Sequence, residues 1–170
     1  MERLLELFGH GLGDIAGAPS EQSLVEQFER GMFTTLAFYE AVAKAGDIFT
    51  PNDAMVAQQQ MLRSVGVPTY ICSNSSELHI QHVKDTYPFF SGFDGYILSH
   101  EVRSYKPEEE MYRAVEHVTG LTGPDLLFID DKAANVAGAR PLGWHLIHHT
   151  RVDTSLQQMA KLGLPVVEGM

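Results

Sequence analysis

Apolar positions along this chain keep two different rhythms. From residue 67 to about 150, short runs that are apolar at nearly every position alternate with segments whose apolar residues recur every three or four places. The runs predict strands over 67–72, 95–99, 126–129 and 144–148. The periodic segments between them predict helices over 76–85, 107–119 and from 132 to about 142, and a further helix begins at Val152. In the 107–119 helix the spacing turns Met111, Ala114, Val115 and Val118 inward, and Gly120 ends it.

Residues 1 to about 65 read as helical. Residues 1–8 form a short amphipathic piece, and the glycine-rich stretch 9–19 reads as a loop. Ser23 and Glu26 fit a capping box ahead of Leu24, Val25, Phe28, Met32, Phe33 and Leu36 at helical spacing. Thr50 is placed as the N-cap of a second helix, with Pro51 at its first position, Val65 near its end and Gly66 as C-terminal cap. The chain therefore divides into a helical segment, 1–65, and an α/β core, 66–170.

Strands that are apolar on every residue are buried on both faces. With a helix between each pair, they imply an α/β fold, a Rossmann-like parallel sheet with helices above and below. The third strand, Leu126 to Ile129, runs directly into Asp130 and Asp131. Ligands of such sheets sit beyond the carboxyl ends of the strands. Adjacent carboxylates there repel each other unless a cation, a proton or a basic group is shared between them. One aspartate could simply cap the next helix; two in succession favour a cation or phosphoryl site.

Composition narrows the function classes. The 170 residues suffice for one domain with a real core, and 44% apolar with 20% charged residues is ordinary globular composition. A net charge of -10 with scattered acids argues against a nucleic-acid groove. Cys72 is the single cysteine, which excludes an internal disulfide and points to a reducing compartment. No apolar run approaches the roughly 20 residues of a membrane span, and no basic-then-apolar leader is visible. The expectation is a soluble, cytoplasmic protein with neither membrane nor nucleic-acid partners.

The polar residues at the strand ends supply the candidate chemistry. The first strand ends in Cys72, Ser73, Asn74 and Ser75; the second is followed by Ser99, His100, Glu101 and then Lys106; the third ends in Asp130 and Asp131. On one sheet edge these form a phosphate-and-metal constellation. Ser73 and the amides after it, Ser75 included, suit phosphate oxygens. Lys106 pairs with phosphate or carboxylate, and the aspartates suit Mg²⁺. His100 is a candidate for acid–base work. Cys72, by alternation, is a buried structural thiol. His145 and His149 face away from His148, so the three do not form a ligand set, and His79 and His82 are expected to be exposed.

Ser73-Asn74, Lys106-Pro107 and the run from Phe128 through Asp130, Asp131, Asn135, Gly138 and Trp144 resemble the second, third and fourth motifs of the haloacid dehalogenase superfamily. The likeness is to its phosphatase-like branch with a small helical cap, and it covers about residues 67–150. The resemblance implies that Ser73 binds a transferred phosphoryl group and that Asn74 shapes its loop. It implies that Lys106 stabilises the phosphorylated intermediate, that Asp130 and Asp131 position Mg²⁺, and that Asn135 orients them. It also implies that residues 1–65 act as the cap over a small phosphorylated metabolite.

One departure stands against the match. The family's nucleophile lies in an Asp-x-Asp pattern at the end of a strand upstream of the cap, and no Asp-x-Asp occurs in these 170 residues. Asp14 sits in a glycine-rich loop and Asp47 follows a helical run, so neither fits the pattern. In the family that strand lies between the first and third strands here. A gap is therefore expected, closed by direct pairing, by another segment, or by a second molecule in a homodimer. Three functions remain open: a Mg²⁺-dependent phosphatase acting without the usual nucleophile, a non-catalytic binder of phosphorylated ligands or protein partners, and a fragment completed by a second chain.

Overall fold

The computed structural model describes residues 51–167, and within them the apolar runs form four short strands. β1 (Tyr70–Ser73) pairs in parallel with β2 (Gly95–Leu98), and β3 (Leu127–Asp130) pairs in parallel with β4 (His145–His148). The helices are α1 (Asp53–Ser64), α2 (Glu77–Thr86), α3 (Ser99–Val102), α4 (Glu109–Thr119), α5 (Ala133–Ala139) and α6 (Val152–Lys161). Each parallel pair is joined by a helical crossover, α2 in one and α5 in the other, as parallel pairing requires.

Alternation along the strands explains the layers. Leu126 and Phe128 face one side of β3; Leu127 and Ile129 face the other; all four are fully buried. Cys72 of β1 and Ile97 of β2 join Phe128 beneath α4, with Met111, Tyr112, Val115 and Trp144. This cluster draws on both strand pairs, so the α4 face is continuous across the sheet. The opposite face is divided. Over β1 and β2 it is filled by Ile80 and Val83 of α2 with Phe90 and Phe93, and over β3 and β4 by Met55 and Leu62 of α1 with Met159 of α6.

α1 spans that division. Its Gln59 is buried and donates to Thr69 Oγ1 at 2.9 Å and to the Gly92 carbonyl at 2.9 Å, while Met55 and Leu62 pack under β3 and β4. This last helix of the 1–65 segment thus packs with the α/β core. The readings for residues 1–50, Asp14 and Asp47 included, lie outside the described residues.

Among the described residues no ladder joins β1 to β3, and each of these strands is paired on one side. Direct pairing across the expected gap is therefore not the arrangement within 51–167.

Three local expectations need correction. α1 is capped by Asn52, whose Oδ1 accepts from the Met55 N–H at 3.2 Å, and not by Thr50. Asparagine is among the better N-caps, and its position displaced the start by two residues. Val118 is 51% exposed, and Tyr112 takes the inward place instead, one turn from Val115. His79 and His82 are half-buried along α2 rather than exposed. No described helix is long and apolar enough to cross a membrane.

Candidate active site

The β3 run ends by carrying Asp130 into the protein, where it is 4% exposed. Its carboxylate meets four N–H contacts. Oδ1 accepts from the Lys132 N–H at 2.7 Å and from Asn135 Nδ2 at 3.1 Å. Oδ2 accepts from Lys106 Nζ at 3.0 Å and from Asn135 Nδ2 at 3.0 Å. The donors are three, with the Asn135 amide shared between the two oxygens, so the protein itself engages both oxygens of Asp130.

Lys106 is the piece that unites the two strand pairs. Its ammonium, on a residue only 5% exposed, donates to the Cys72 carbonyl of β1 at 2.7 Å as well as to Asp130 of β3. Asn74, just past β1, holds the lysine backbone at both ends. The Lys106 N–H donates to Asn74 Oδ1 at 2.7 Å, and Asn74 Nδ2 donates to the Lys106 carbonyl at 2.9 Å. Gly138 lets α5 approach the same loop. A Cβ there would stand 2.8 Å from Pro107 Cβ and 2.9 Å from the Tyr112 hydroxyl oxygen, closer than side chains tolerate.

Asn135 is fixed in turn. Tyr112, fully buried, donates its hydroxyl to the Asn135 carbonyl at 2.7 Å and meets the rings of Phe128 and Trp144 edge-on. The packed α4 face thereby sets the start of α5, and Asn135 sets the carboxylate.

Burial lowers the Lys106 pKa to about 8, against the pull of Asp130, which favours the charged form. The ammonium is therefore charged at neutral pH but loses its proton more readily than an ordinary lysine. The Cys72 thiol is pushed up by burial and by the Asp130 charge, so it stays protonated and is a packing group rather than a nucleophile.

The tip of β1 is built differently. Ser73 is half-buried at the end of the strand. The Ser75 N–H donates to Ser99 Oγ at 2.9 Å, and Ser99 Oγ donates back to the Ser75 carbonyl at 3.0 Å. The expected offer of this amide to phosphate is thus redirected to Ser99. His100, exposed, places Nδ1 at 2.9 Å from the same carbonyl, which ties its ring to the loop. Ser76 caps α2, with Oγ accepting from the His79 N–H.

Of the residues anticipated from sequence, Asn74, Lys106, Asp130 and Asn135 form one bonded chain. Ser73 and Asp131 stand at the tips of β1 and β3 that this chain connects. The expected metal pair is split: Asp130 is engaged by Lys106, Lys132 and Asn135, while Asp131 is half-exposed. The contacts made by Tyr112, Ser99 and His148 are not anticipated from sequence. Tyr112 had a signal in its spacing to Val115; the partners of Ser99 and His148 come from other strands and leave none.

A family model of haloacid dehalogenase-like hydrolases matches residues 10–143. The chain belongs to the haloacid dehalogenase-like hydrolases. It is 28% identical over 94 residues to an (S)-2-haloacid dehalogenase of Pseudomonas putida, covering 55% of this chain and 42% of that one. It is 26% identical over 112 residues to a sesquiterpene phosphatase of Aspergillus oryzae, covering 66% of this chain and 57% of the relative. The chain spans about half the length of the curated relatives it matches. Its fold resembles that of a haloacid dehalogenase family enzyme of Bacteroides thetaiotaomicron, crystallised with magnesium and inorganic phosphate. There the TM-score is 0.56 at 21% identity, covering 86% of this chain and 92% of that one. Membership in this family agrees with the α/β fold anticipated from the strands.

Proposed function

We propose that these residues form the phosphate- and cation-holding part of a phosphomonoester hydrolase. The observation that carries this reading is the division between the two aspartates. Lys106 neutralises Asp130, and Asp131, the second carboxylate of the same strand tip, is half-exposed.

Among the described residues no three His, Cys, Asp or Glu side chains gather closely enough to hold a metal by themselves. That fits Mg²⁺ better than a caged ion, because Mg²⁺ keeps water and binds through one or two carboxylates plus phosphate oxygens. Asp131 would hold it. When bound, the ion neutralises charge on the phosphoryl oxygens. The chain's own residues do the rest. Ser73 donates its hydroxyl to a phosphoryl oxygen, Lys106 adds positive charge between the strand tips, and Asn74 and Asn135 keep both charged groups in place. Residues 1–50 would serve as the cap, and the attacking group would come from outside the cluster assembled here.

A second reading has its own support. Asp130 has its charge balanced by Lys106 without an ion, and curated relatives include (S)-2-haloacid dehalogenases. Under it, the chain would act on 2-haloacids. The β1 and β3 edges favour completion of either site by a further strand, from this chain or from a second copy.

Phosphate release from a panel of phosphomonoesters, with Mg²⁺ or EDTA, tests the first reading in the native chain and Asp131→Asn. Turnover that EDTA and the substitution each abolish supports it. Chloride release from 2-chloropropionate, unaffected by EDTA, replaces it with the second. Phosphate binding without turnover would make the chain a binding protein.

A further inference from the structure

The ladder between β3 and β4 continues one step past the strands, with the His149 N–H donating to the Asp130 carbonyl at 2.8 Å. The carbonyl that follows, that of Asp131, lies one residue past β3. A side chain meets it: His148 Nε2 lies 2.8 Å away. A carbonyl only accepts, so Nε2 carries the hydrogen in this contact.

The same peptide group is held at its other end. The amide between Asp131 and Lys132 presents its oxygen to His148 and its N–H to Asp130 Oδ1 at 2.7 Å. One peptide plane thus connects His148 to the carboxylate that Lys106 and Asn135 grip. Rotating that plane would break both bonds and withdraw the Lys132 N–H from Asp130 Oδ1. Bonds in series through a peptide also polarise one another.

We propose that His148 is a positioning residue: its ring fixes the 131–132 peptide, and through the Lys132 N–H the placement of the Asp130 carboxylate. The catalytic part of this rests on the hydrolase reading above; the structural part does not. The neighbouring His149 has a separate task. Its Nδ1 faces Ser155 Oγ at 2.8 Å on α6, and burial lowers its pKa.

Glutamine places an amide nitrogen where His148 has Nε2; asparagine reaches only as far as Nδ1; leucine offers no donor. His148 is exposed, so all three variants should fold. The experiment is amide hydrogen exchange at Lys132, by NMR on the full chain, in wild type, His148→Gln, His148→Asn and His148→Leu. The expected result is about tenfold or greater loss of Lys132 protection in the Leu and Asn variants, with Gln near wild type. Where phosphate release is measurable, kcat should fall about tenfold in the same two variants, with KM little changed and Gln restoring it. Wild-type protection in His148→Leu would overturn the proposal. So would Gln behaving like Leu. If the wild type turns over no phosphomonoester, the functional reading fails, and the Lys132 amide still decides the role of His148.

Discussion

The tips of β1 and β3 lie side by side and are built on opposite principles. At β3 a buried carboxylate is engaged by an ammonium, an amide side chain and a backbone N–H. At β1 the groups are neutral hydroxyls and amides on a half-buried turn, braced by Ser99. A buried charge with both oxygens engaged is costly to release, because release would leave it unsolvated. A neutral loop braced by its backbone carries no such charge to keep solvated. The difference teaches that two adjacent aspartates can sit in unlike surroundings, one buried and bonded and the other half-exposed. Lys106 belongs to both tips and makes them one site.

The contrast breaks most sharply at that lysine. Lys106→Met leaves Asp130 buried without its counter-charge, and breaking such a pair costs roughly 3–5 kcal/mol. Urea unfolding should show a loss of this size; a loss below about 1 kcal/mol, the range of exposed pairs, would mean that the pair is solvated. Asn135→Leu removes one donor from both carboxylate oxygens and should cost about 1–3 kcal/mol in the same measurement.

The titration of Lys106 sharpens the comparison with opposite signs. Its folded pKa, about 8, lies below the ordinary 10.5, so the ammonium is charged below about 8 and neutral above. Activity that depends on the charge should fall as pH rises past 8. Over the same window the unfolded chain holds this proton more firmly than the folded one, so the lysine's contribution to stability should rise with pH. A pH–rate profile flat to pH 10 would show that the charge is not used. The smallest stability effect is expected at the other tip. Ser73→Ala should change stability by no more than about 0.5 kcal/mol, while weakening phosphate binding measured by calorimetry.

Much of this architecture was legible because local patterns and long-range packing agree. The all-apolar β3 run announced burial on both faces, and the observed split of Leu126 and Phe128 from Leu127 and Ile129 is its direct consequence. The convergence of Asn74, Lys106, Asp130 and Asn135 followed from their places at strand ends and in family motifs. What stayed hidden were bonds between elements remote in sequence: Tyr112 to Asn135, Ser99 to Ser75 and His148 to Asp131. Each is a polar side chain reaching a backbone group on another element, and no periodicity records such a partner. Asn52 displaced Thr50 for a related reason, since two good capping residues stood two positions apart and only geometry chose between them.

The division of labour between the two aspartates is tested most directly by urea unfolding of Asp130→Asn and Asp131→Asn side by side. The account predicts that Asp130→Asn, which strips the buried ammonium of its counter-charge, loses roughly 3–5 kcal/mol, while Asp131→Asn, at a half-exposed carboxylate, loses clearly less. Equal losses in the two variants, or the larger loss in Asp131→Asn, would contradict it.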